Sequence, residues 1–149
     1  MSRISFDDIQ VGDEIISARI TVTESHIVGF AGITGDFNPL HMDDEFAREN
    51  GFGCRIAHGM LGHSLSTGLR SKIDDWAILA FLETRRRFVG PILMGDTIHY
   101  RATVLETRPS QSKPDRGVVR VSMELVKQTG EVVQSGEDSF LVERLNEKG

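Results

Sequence analysis

The chain has 149 residues, with 22 acidic residues against 17 lysines and arginines and a formal net charge of −5. This length predicts one compact domain over residues 1–149, which would bury roughly 70% of the surface that the unfolded chain exposes. The acidic balance argues against a nucleic-acid partner, and no apolar run reaches the ~20 residues of a membrane span. The N-terminus lacks the apolar stretch of a secretory signal, so we expect a cytoplasmic protein. The single cysteine, Cys54, is expected to be a small core residue, and it leaves no partner for a disulfide or a multi-cysteine zinc site.

The first third of the chain predicts a strand followed by short helices. Residues 14–23 are expected to form the strand. Thr23 is a typical helix N-cap, and apolar residues at helical spacing follow it until a glycine that ends the helix. A second, short helix is expected from about residue 43, with Phe46 and Ala47 facing the core.

Residues 59–73 predict a central helix that is unusually rich in glycine and serine. Interior glycines cost about 1 kcal/mol each relative to alanine, a cost that close backbone packing can offset. We therefore expect this helix to lie tightly against a sheet. Leu61 and Leu65 belong to its apolar face, either as core residues or as part of the wall of a substrate tunnel.

The second half of the chain predicts strands, because apolar and polar residues alternate along it. Residues 108–117 are expected to form a mobile loop, and Gly136 is a candidate β-bulge. The expected fold is α+β, with an antiparallel sheet wrapped around one central helix. The predicted strands are residues 77–88, 98–104, 119–125 and 132–142.

Asp36 and His41 form the most reactive pairing in the sequence, since both lie on one short turn. Gly35 permits an unusual backbone angle there, and Pro39 fixes another. A carboxylate and an imidazole held in this way can grip one water molecule and move its protons. The alternative is that Asp36 caps a turn and His41 is a partly buried histidine with its hydrogen bonds satisfied.

A longer signature surrounds this pair and resembles that of the MaoC-like, (R)-specific enoyl-CoA hydratase family, which has the hot-dog fold. The similarity extends to residues 56–61, to residues 88–97, and in all to roughly residues 6–142. The residues that carry the signature are Phe30, Thr34, Gly35, Asp36, Asn38, Pro39, Leu40, His41 and Ala47.

The resemblance implies that Asp36 and His41 position and activate the water that adds across the 2,3 double bond of an enoyl thioester. With a neutral imidazole, His41 would donate its N–H to the water while Asp36 accepts. The amide of Gly59, at a helix N-terminus, would donate to the thioester carbonyl, and Asn38 would orient the turn. Thr67 stands where well-known members carry a serine, so a hydroxyl is kept but a methyl group is added.

The resemblance also implies a reaction without a metal or redox cofactor, in which coenzyme A or acyl-carrier pantetheine is part of the substrate. It implies a homodimer that joins sheet edges, or a larger oligomer. The scattered histidines outside the signature have no acidic partner at metal-ligand spacing.

Two further residues have a functional and a structural interpretation. Arg86 would bind coenzyme A phosphates, or it belongs to an ion-paired strand edge on which alternation separates it from its neighbours. His58 would be a second catalyst, or it shapes the entrance of the central helix.

Two other functions fit the same fold. A hot-dog thioesterase would place a carboxylate on the central helix, where residues 59–73 contain none. An acyl-thioester-binding subunit of a heteromeric dehydratase would not need the Asp36 and His41 pair, which is present here.

Overall fold

The computed structural model describes residues 3–146, which form five strands, four helices and two single 3-10 turns. The strands are β1 (Glu14–Thr21), β2 (Ile78–Phe88), β3 (Thr97–Pro109), β4 (Arg116–Lys127) and β5 (Val132–Glu143). The helices are α1 (Glu24–Thr34), α2 (Pro39–Met42), α3 (Asp44–Glu49) and α4 (Gly59–Gly68). The single turns cover Phe6–Asp8 and Lys72–Asp75. Among the described residues, no helix is long and apolar enough to cross a membrane.

The five strands form one antiparallel sheet in the order β1-β3-β4-β5-β2. Burial alternates along β3 and β4, so that one face of the sheet supplies the core. Alternating side chains of this kind lie on opposite faces of a pleated strand. The expected α+β hot-dog architecture is therefore confirmed. The innermost residues of β4 are Val119, Val121, Met123 and Leu125.

Helix α4 packs on the sheet through a face that includes Leu61, Gly62 and Ser66. A Cβ atom at Gly62 would lie 2.5 Å from Cδ1 of Ile92 and 2.8 Å from Nε2 of Gln134. The absence of that atom is what allows the helix backbone to approach so closely. The predicted close packing of the glycine-rich helix is confirmed.

The predicted helix over residues 59–73 is too long, because α4 ends at Gly68. The carbonyl of Arg70 accepts the N–H of Ala18 on β1, so it is withdrawn from a helical hydrogen bond. Ser71 then caps the next single turn, with its Oγ accepting the N–H of Ile73 at 3.2 Å. Tertiary contacts and a new cap thus stop the helix within an apolar pattern that could have continued it.

Both ends of α1 follow the sequence prediction. Thr23 is the N-cap, and its side chain and that of His26 form a capping box. Gly35 ends the helix with a positive φ of 79°, which glycine adopts without strain. This end sets the direction in which the next turn leaves the helix.

Three smaller predictions are wrong. Phe46 is 36% exposed, whereas its neighbour Ala47 is buried as expected. Gly136 is not a bulge, since the β5 register is continuous through it on both sides. Its lack of a side chain instead makes room for the main chain of Arg85 on β2. The predicted loop over residues 108–117 is shorter, because β3 and β4 extend into it from both ends.

Candidate active site

The turn between α1 and α2 is built by three short polar side chains that bind main-chain amides. Oγ1 of Thr34 accepts the N–H of Asp36 at 3.2 Å, and Oδ1 of Asp36 accepts the N–H of Asn38 at 3.2 Å. Oδ1 of Asn38 then accepts the N–H of Leu40 at 3.0 Å, which caps α2. Such local bonds compete with helix formation and stabilise turns. They leave the second carboxylate oxygen of Asp36 free.

Asp36 and His41 come together as the sequence predicts, with Oδ2 of Asp36 3.9 Å from Nε2 of His41. This distance is too long for a direct hydrogen bond and is within the span of one bridging water. The Asp36 side chain is 52% exposed and that of His41 is 12% exposed. The site therefore opens to solvent on the carboxylate side and is closed on the imidazole side.

The second ring nitrogen of His41 decides its chemistry. Nδ1 lies 2.8 Å from the main-chain oxygen of Ile56, which can only accept a hydrogen bond. Nδ1 therefore carries a proton, and in the neutral imidazole Nε2 faces Asp36 as an acceptor. The expectation that neutral His41 donates to the water is wrong, because the donor nitrogen is already engaged elsewhere.

His58 is a third member of the site that spacing alone could not place there. It is only 3% exposed, and its Nε2 lies 2.9 Å from the main-chain oxygen of Asp36. Its ring stacks on that of His41 with centroids 3.8 Å apart and an interplanar angle of 25°. The ring of Phe30 also packs against it in an edge-to-face arrangement, with centroids 5.1 Å apart. In the sequence, the feature that points to a site role for His58 is its position immediately before Gly59, the first residue of the central helix.

Gly59 is the first residue of α4, where main-chain N–H groups have no partner within the helix. A Cβ at this position would lie 2.8 Å from the ring of Phe88, so the approach to the helix start is narrow. The Gly59 carbonyl accepts a hydrogen bond from Nε2 of Gln134 at 2.9 Å. The positive end of α4 is thus held in place beside His58, which itself binds Asp36.

Thr67 lies at the opposite end of α4, where it borders a cavity of about 220 Å³. Its Oγ1 donates to the main-chain oxygen of Ser64 at 2.7 Å. Leu61 is buried in the core, and Leu65 is partly buried and packs against the core. Of the two predicted roles, core residue or tunnel wall, both therefore have the core role. The apolar residues of the cavity wall are Leu69, Ile73, Ile78, Phe81 and Phe140.

Arg86 is too buried to bind the phosphates of coenzyme A from the surface, and it has the ion-paired role that was the alternative interpretation. It is also one of the residues that line the cavity beside Thr67. Its side chain is 2% exposed and pairs with Asp138 at 3.2 Å. It also donates to Oγ of Ser66 at 2.7 Å. The neighbouring Arg85 is 73% exposed, so the predicted alternation along the strand is correct. Burial, together with the negative charge of Asp138, raises the pKa of Tyr100, whose hydroxyl donates to the same carboxylate at 3.0 Å.

Asp36, His41 and His58 each offer one possible metal-ligand atom, and these atoms lie within 4.8 Å of one another. The nitrogen lone pairs of His41 and His58 lie in two stacked ring planes that are 25° apart and have centroids 3.8 Å from each other. Lone pairs that bind one ion must instead converge on it. The arrangement therefore fits a bridging water better than a chelated metal.

The chain is similar to known proteins in sequence and in fold. Residues 8–127 match the family model described as "MaoC like domain". The 3-hydroxybutyryl-CoA dehydratase of Methylorubrum extorquens is 33% identical over 109 residues, covering 72% of this chain and 68% of that protein. The (R)-specific enoyl-CoA hydratase of Rhodospirillum rubrum is 33% identical over 107 residues, covering 71% and 73% of the two chains. The crystal structure of the MaoC-like dehydratase from Rhodospirillum rubrum superposes with a TM-score of 0.81 at 31% identity, covering 97% of this chain and 99% of that one.

Proposed function

The chain belongs to the MaoC-like domain family and is a hydratase/dehydratase, and from this premise we propose that it adds water to trans-2-enoyl thioesters. In reverse it would dehydrate (R)-3-hydroxyacyl thioesters. The observation that carries the proposal is the 3.9 Å gap between Oδ2 of Asp36 and Nε2 of His41. With Asp36 ionised and His41 neutral, both atoms are acceptors, and one water can donate a hydrogen bond to each.

The proposed reaction follows from where these acceptors leave the water oxygen. Both hydrogens of the water are engaged, so its free lone pair can attack C3 of the substrate. The C2–C3 π electrons move toward C1, and negative charge develops on the thioester oxygen. The Gly59 amide would stabilise that oxygen. The side chain that accepted the proton from the water then delivers it to C2. One O–H bond and the C2–C3 π bond are broken, and a C3–O and a C2–H bond are formed.

The magnitudes are sufficient for a useful catalyst. A positioned acid or base contributes about 10²–10⁴-fold and an oxyanion donor about 10²–10³-fold. The substrate is neither oxidised nor reduced overall, so the balanced reaction requires no redox cofactor. Coenzyme A or the pantetheine of an acyl-carrier protein would enter as part of the substrate.

We propose that the cavity beside Thr67 receives the distal part of the acyl chain. Gly59 and Thr67 are eight residues apart on α4, which corresponds to about 12 Å along a helix. A chain bound with its carbonyl at Gly59 and lying along the helix would reach the cavity. The mainly apolar wall of the cavity suits methylene groups.

We also propose that the protein is a homodimer that pairs along the outer edge of β2. Strands β1 and β2 form the two edges of the sheet, and unpaired edge strands need a partner or protection. Large apolar side chains are exposed along β2, among them Phe81, Leu82 and Phe88. On β1 the exposed large apolar residue is Ile16. The apolar surface therefore favours β2 as the dimer edge.

The proposed activity is tested by following the absorbance of enoyl thioesters of four to sixteen carbons, with free thiol measured in parallel. Loss of the enoyl absorbance without thiol release, giving the (R)-3-hydroxyacyl product, is the expected result. Thiol release as the main event would instead identify a thioesterase. If neither hydration nor thiol release occurs with any chain length, the protein is an acyl-thioester-binding subunit, and the proposal is overturned.

A further inference from the structure

One buried histidine touches both members of the proposed catalytic pair, although the proposed reaction gives it no proton to carry. His58 contacts Asp36 through a hydrogen bond of 2.9 Å to its main-chain oxygen. It contacts His41 through ring stacking, with centroids 3.8 Å apart. It also stands immediately before Gly59, whose amide is the proposed oxyanion donor. No other described side chain is linked in this way to all three parts of the site.

The hydrogen bond fixes the tautomer of His58. A main-chain carbonyl accepts only, so Nε2 carries the proton and Nδ1 of the neutral ring has a lone pair. Nδ1 is buried and has no hydrogen-bond partner among residues 3–146. A charged ring would put a second proton on that nitrogen, in a place without an acceptor and stacked on His41. The neutral His58 ring therefore donates one hydrogen bond, from Nε2 to the main-chain oxygen of Asp36.

The turn that carries Asp36 needs such a support. Around Asp36 its side-chain hydrogen bonds are local ones. At its far end, the Leu40 carbonyl accepts the Ile56 N–H at 3.1 Å, and His41 Nδ1 donates to the Ile56 carbonyl. The Asp36 side chain is half exposed. The bond from His58, the N-cap of α4, is the long-range hydrogen bond at Asp36 itself, and it connects this part of the turn to the start of the helix where the substrate carbonyl would bind.

We propose that His58 is a positioning residue that sets the gap between Asp36 and His41 and keeps that gap in register with the Gly59 amide. This inference rests on the proposed hydratase function. Water must attack C3 while the C1 oxygen is held, so the acceptors and the oxyanion donor must be correctly spaced at the same moment. A misplacement of about 1 Å in such an arrangement can reduce the rate about 10²-fold.

A matched pair of variants separates positioning from simple packing. In His58→Gln, the amide N–H can reach as far as Nε2 does and can still donate to the Asp36 carbonyl. In His58→Asn, the same amide is too short to reach. We expect kcat of the Asn variant to fall about 10-fold to 100-fold with KM changed less than about twofold, and the Gln variant to recover most of the loss. A packing role predicts equal losses in the two variants, in step with their thermal stability, and that result would overturn the proposal.

A second measurement does not depend on activity. Hydrogen exchange at the amides of Asn38 and Leu40 reports the order of the turn, and we expect it to be faster in His58→Asn than in His58→Gln. If the wild-type protein hydrates no enoyl thioester, the proposed function fails, and this exchange still decides whether His58 holds the turn. Equal exchange in the wild type and both variants would show that it does not. His58→Phe keeps a stacking ring without a donor and should behave like the Asn variant, which guards against a folding defect in either amide variant.

Discussion

The main-chain carbonyl of Ile56 accepts the Nδ1–H of His41 at 2.8 Å, and so determines that Nε2 is the nitrogen of His41 that faces Asp36 and the proposed catalytic water. A histidine held in this way presents a bare Nε2 when neutral and an N–H only when protonated. The hydrogen bond comes from the segment that leads into α4, so the same segment fixes the imidazole and the proposed oxyanion donor. This relationship gives the proposed mechanism a definite pH dependence.

We predict that kcat/KM for hydration falls on the acid side and stays level on the alkaline side through about pH 9. Protonation of either Asp36 or His41 removes one of the two acceptors for the water. The overall equilibrium involves no proton, so kcat/KM for dehydration of the matching 3-hydroxyacyl thioester must fall in parallel. The measurement is a pair of pH–rate profiles, with circular dichroism at each pH to exclude unfolding. A steep loss just above neutrality, abolished in a His41 variant with residual activity, would instead identify the imidazolium as the working acid.

We predict that Asp36→Asn and His41→Ala each lower kcat by at least about 10²-fold, with a non-additive effect when combined. Both side chains act on the same water, so removing the second costs little once the first is gone. The Asn side chain keeps an oxygen that can accept the N–H of Asn38, which preserves the turn. Glu45→Gln, at a side chain that is 78% exposed on the neighbouring helix, is the control and should leave kcat unchanged. Near-normal turnover in either catalytic variant would remove the pair from the mechanism.

The sequence predicts those features of the site that depend on neighbouring residues. Asp36 and His41 are five positions apart on a turn whose ends are set by Gly35 and Pro39, so local rules suffice to bring them together. The same holds for the N-cap at Thr23 and for the alternating strands. Each of these depends on residues that are close in the chain.

The features that the sequence does not predict depend on long-range contacts. Arg86 is buried because Asp138, from the neighbouring strand β5, neutralises it, and its own strand does not reveal that partner. His58 joins the site through a carbonyl 22 residues away, and the Nδ1 of His41 is directed by a carbonyl 15 residues away. Helix α4 stops early because β1 takes the carbonyl of Arg70. No periodicity in the sequence encodes these contacts.

We predict that Gly136→Ala destabilises the fold, at the upper end of the about 1–3 kcal/mol typical of overpacking. A Cβ at this position would collide with the main-chain carbonyl of Arg85 on β2, and backbone within a sheet cannot move aside as a side-chain tip can. Gly29→Ala is the matched control, because nothing lies within 4 Å of its Cβ position on α1. Denaturant unfolding should show a loss for the first variant and no loss, or a small gain, for the second. Equal stabilities would mean that the two strands separate more easily than this packing implies.

We predict that Leu82→Glu converts the protein from a dimer to a monomer of 16.6 kDa, measured by light scattering at micromolar concentration. Leu82 is 50% exposed on β2, and a charge there would be buried without a partner when two β2 edges meet. Ile16→Glu places the same charge on the opposite edge, at a residue that is 72% exposed, and should leave the dimer intact. A wild-type protein that is itself monomeric, or a dimer lost only in the Ile16 variant, would contradict the proposed β2 interface.

The last prediction concerns the dependence of stability on pH, and it rests on Asp96. Burial alone would raise the pKa of Asp96, but hydrogen bonds from Gln128, Lys127 and the Leu93 amide outweigh burial and hold this pKa below its ordinary value of 3.8. Nζ of Lys127 lies 2.7 Å from Oδ2, and both side chains are less than one tenth exposed.

A carboxyl group with a lowered pKa in the folded state stabilises that state above the pKa of the unfolded chain, and the contribution disappears as the pH falls through the folded value. Asp96→Asn should therefore cost about 3 kcal/mol of unfolding free energy near pH 7, because it removes the close, buried counter-charge of Lys127. The remaining carboxylate, Glu131, lies 3.9 Å from Nζ and is largely exposed. The difference between the wild type and this variant should shrink steadily once the pH falls below 3.8. Denaturant unfolding of both proteins at a fixed concentration and at several pH values measures it, and a difference that stays constant or grows toward acid pH would show that the carboxylate charge is not what stabilises this corner of the sheet.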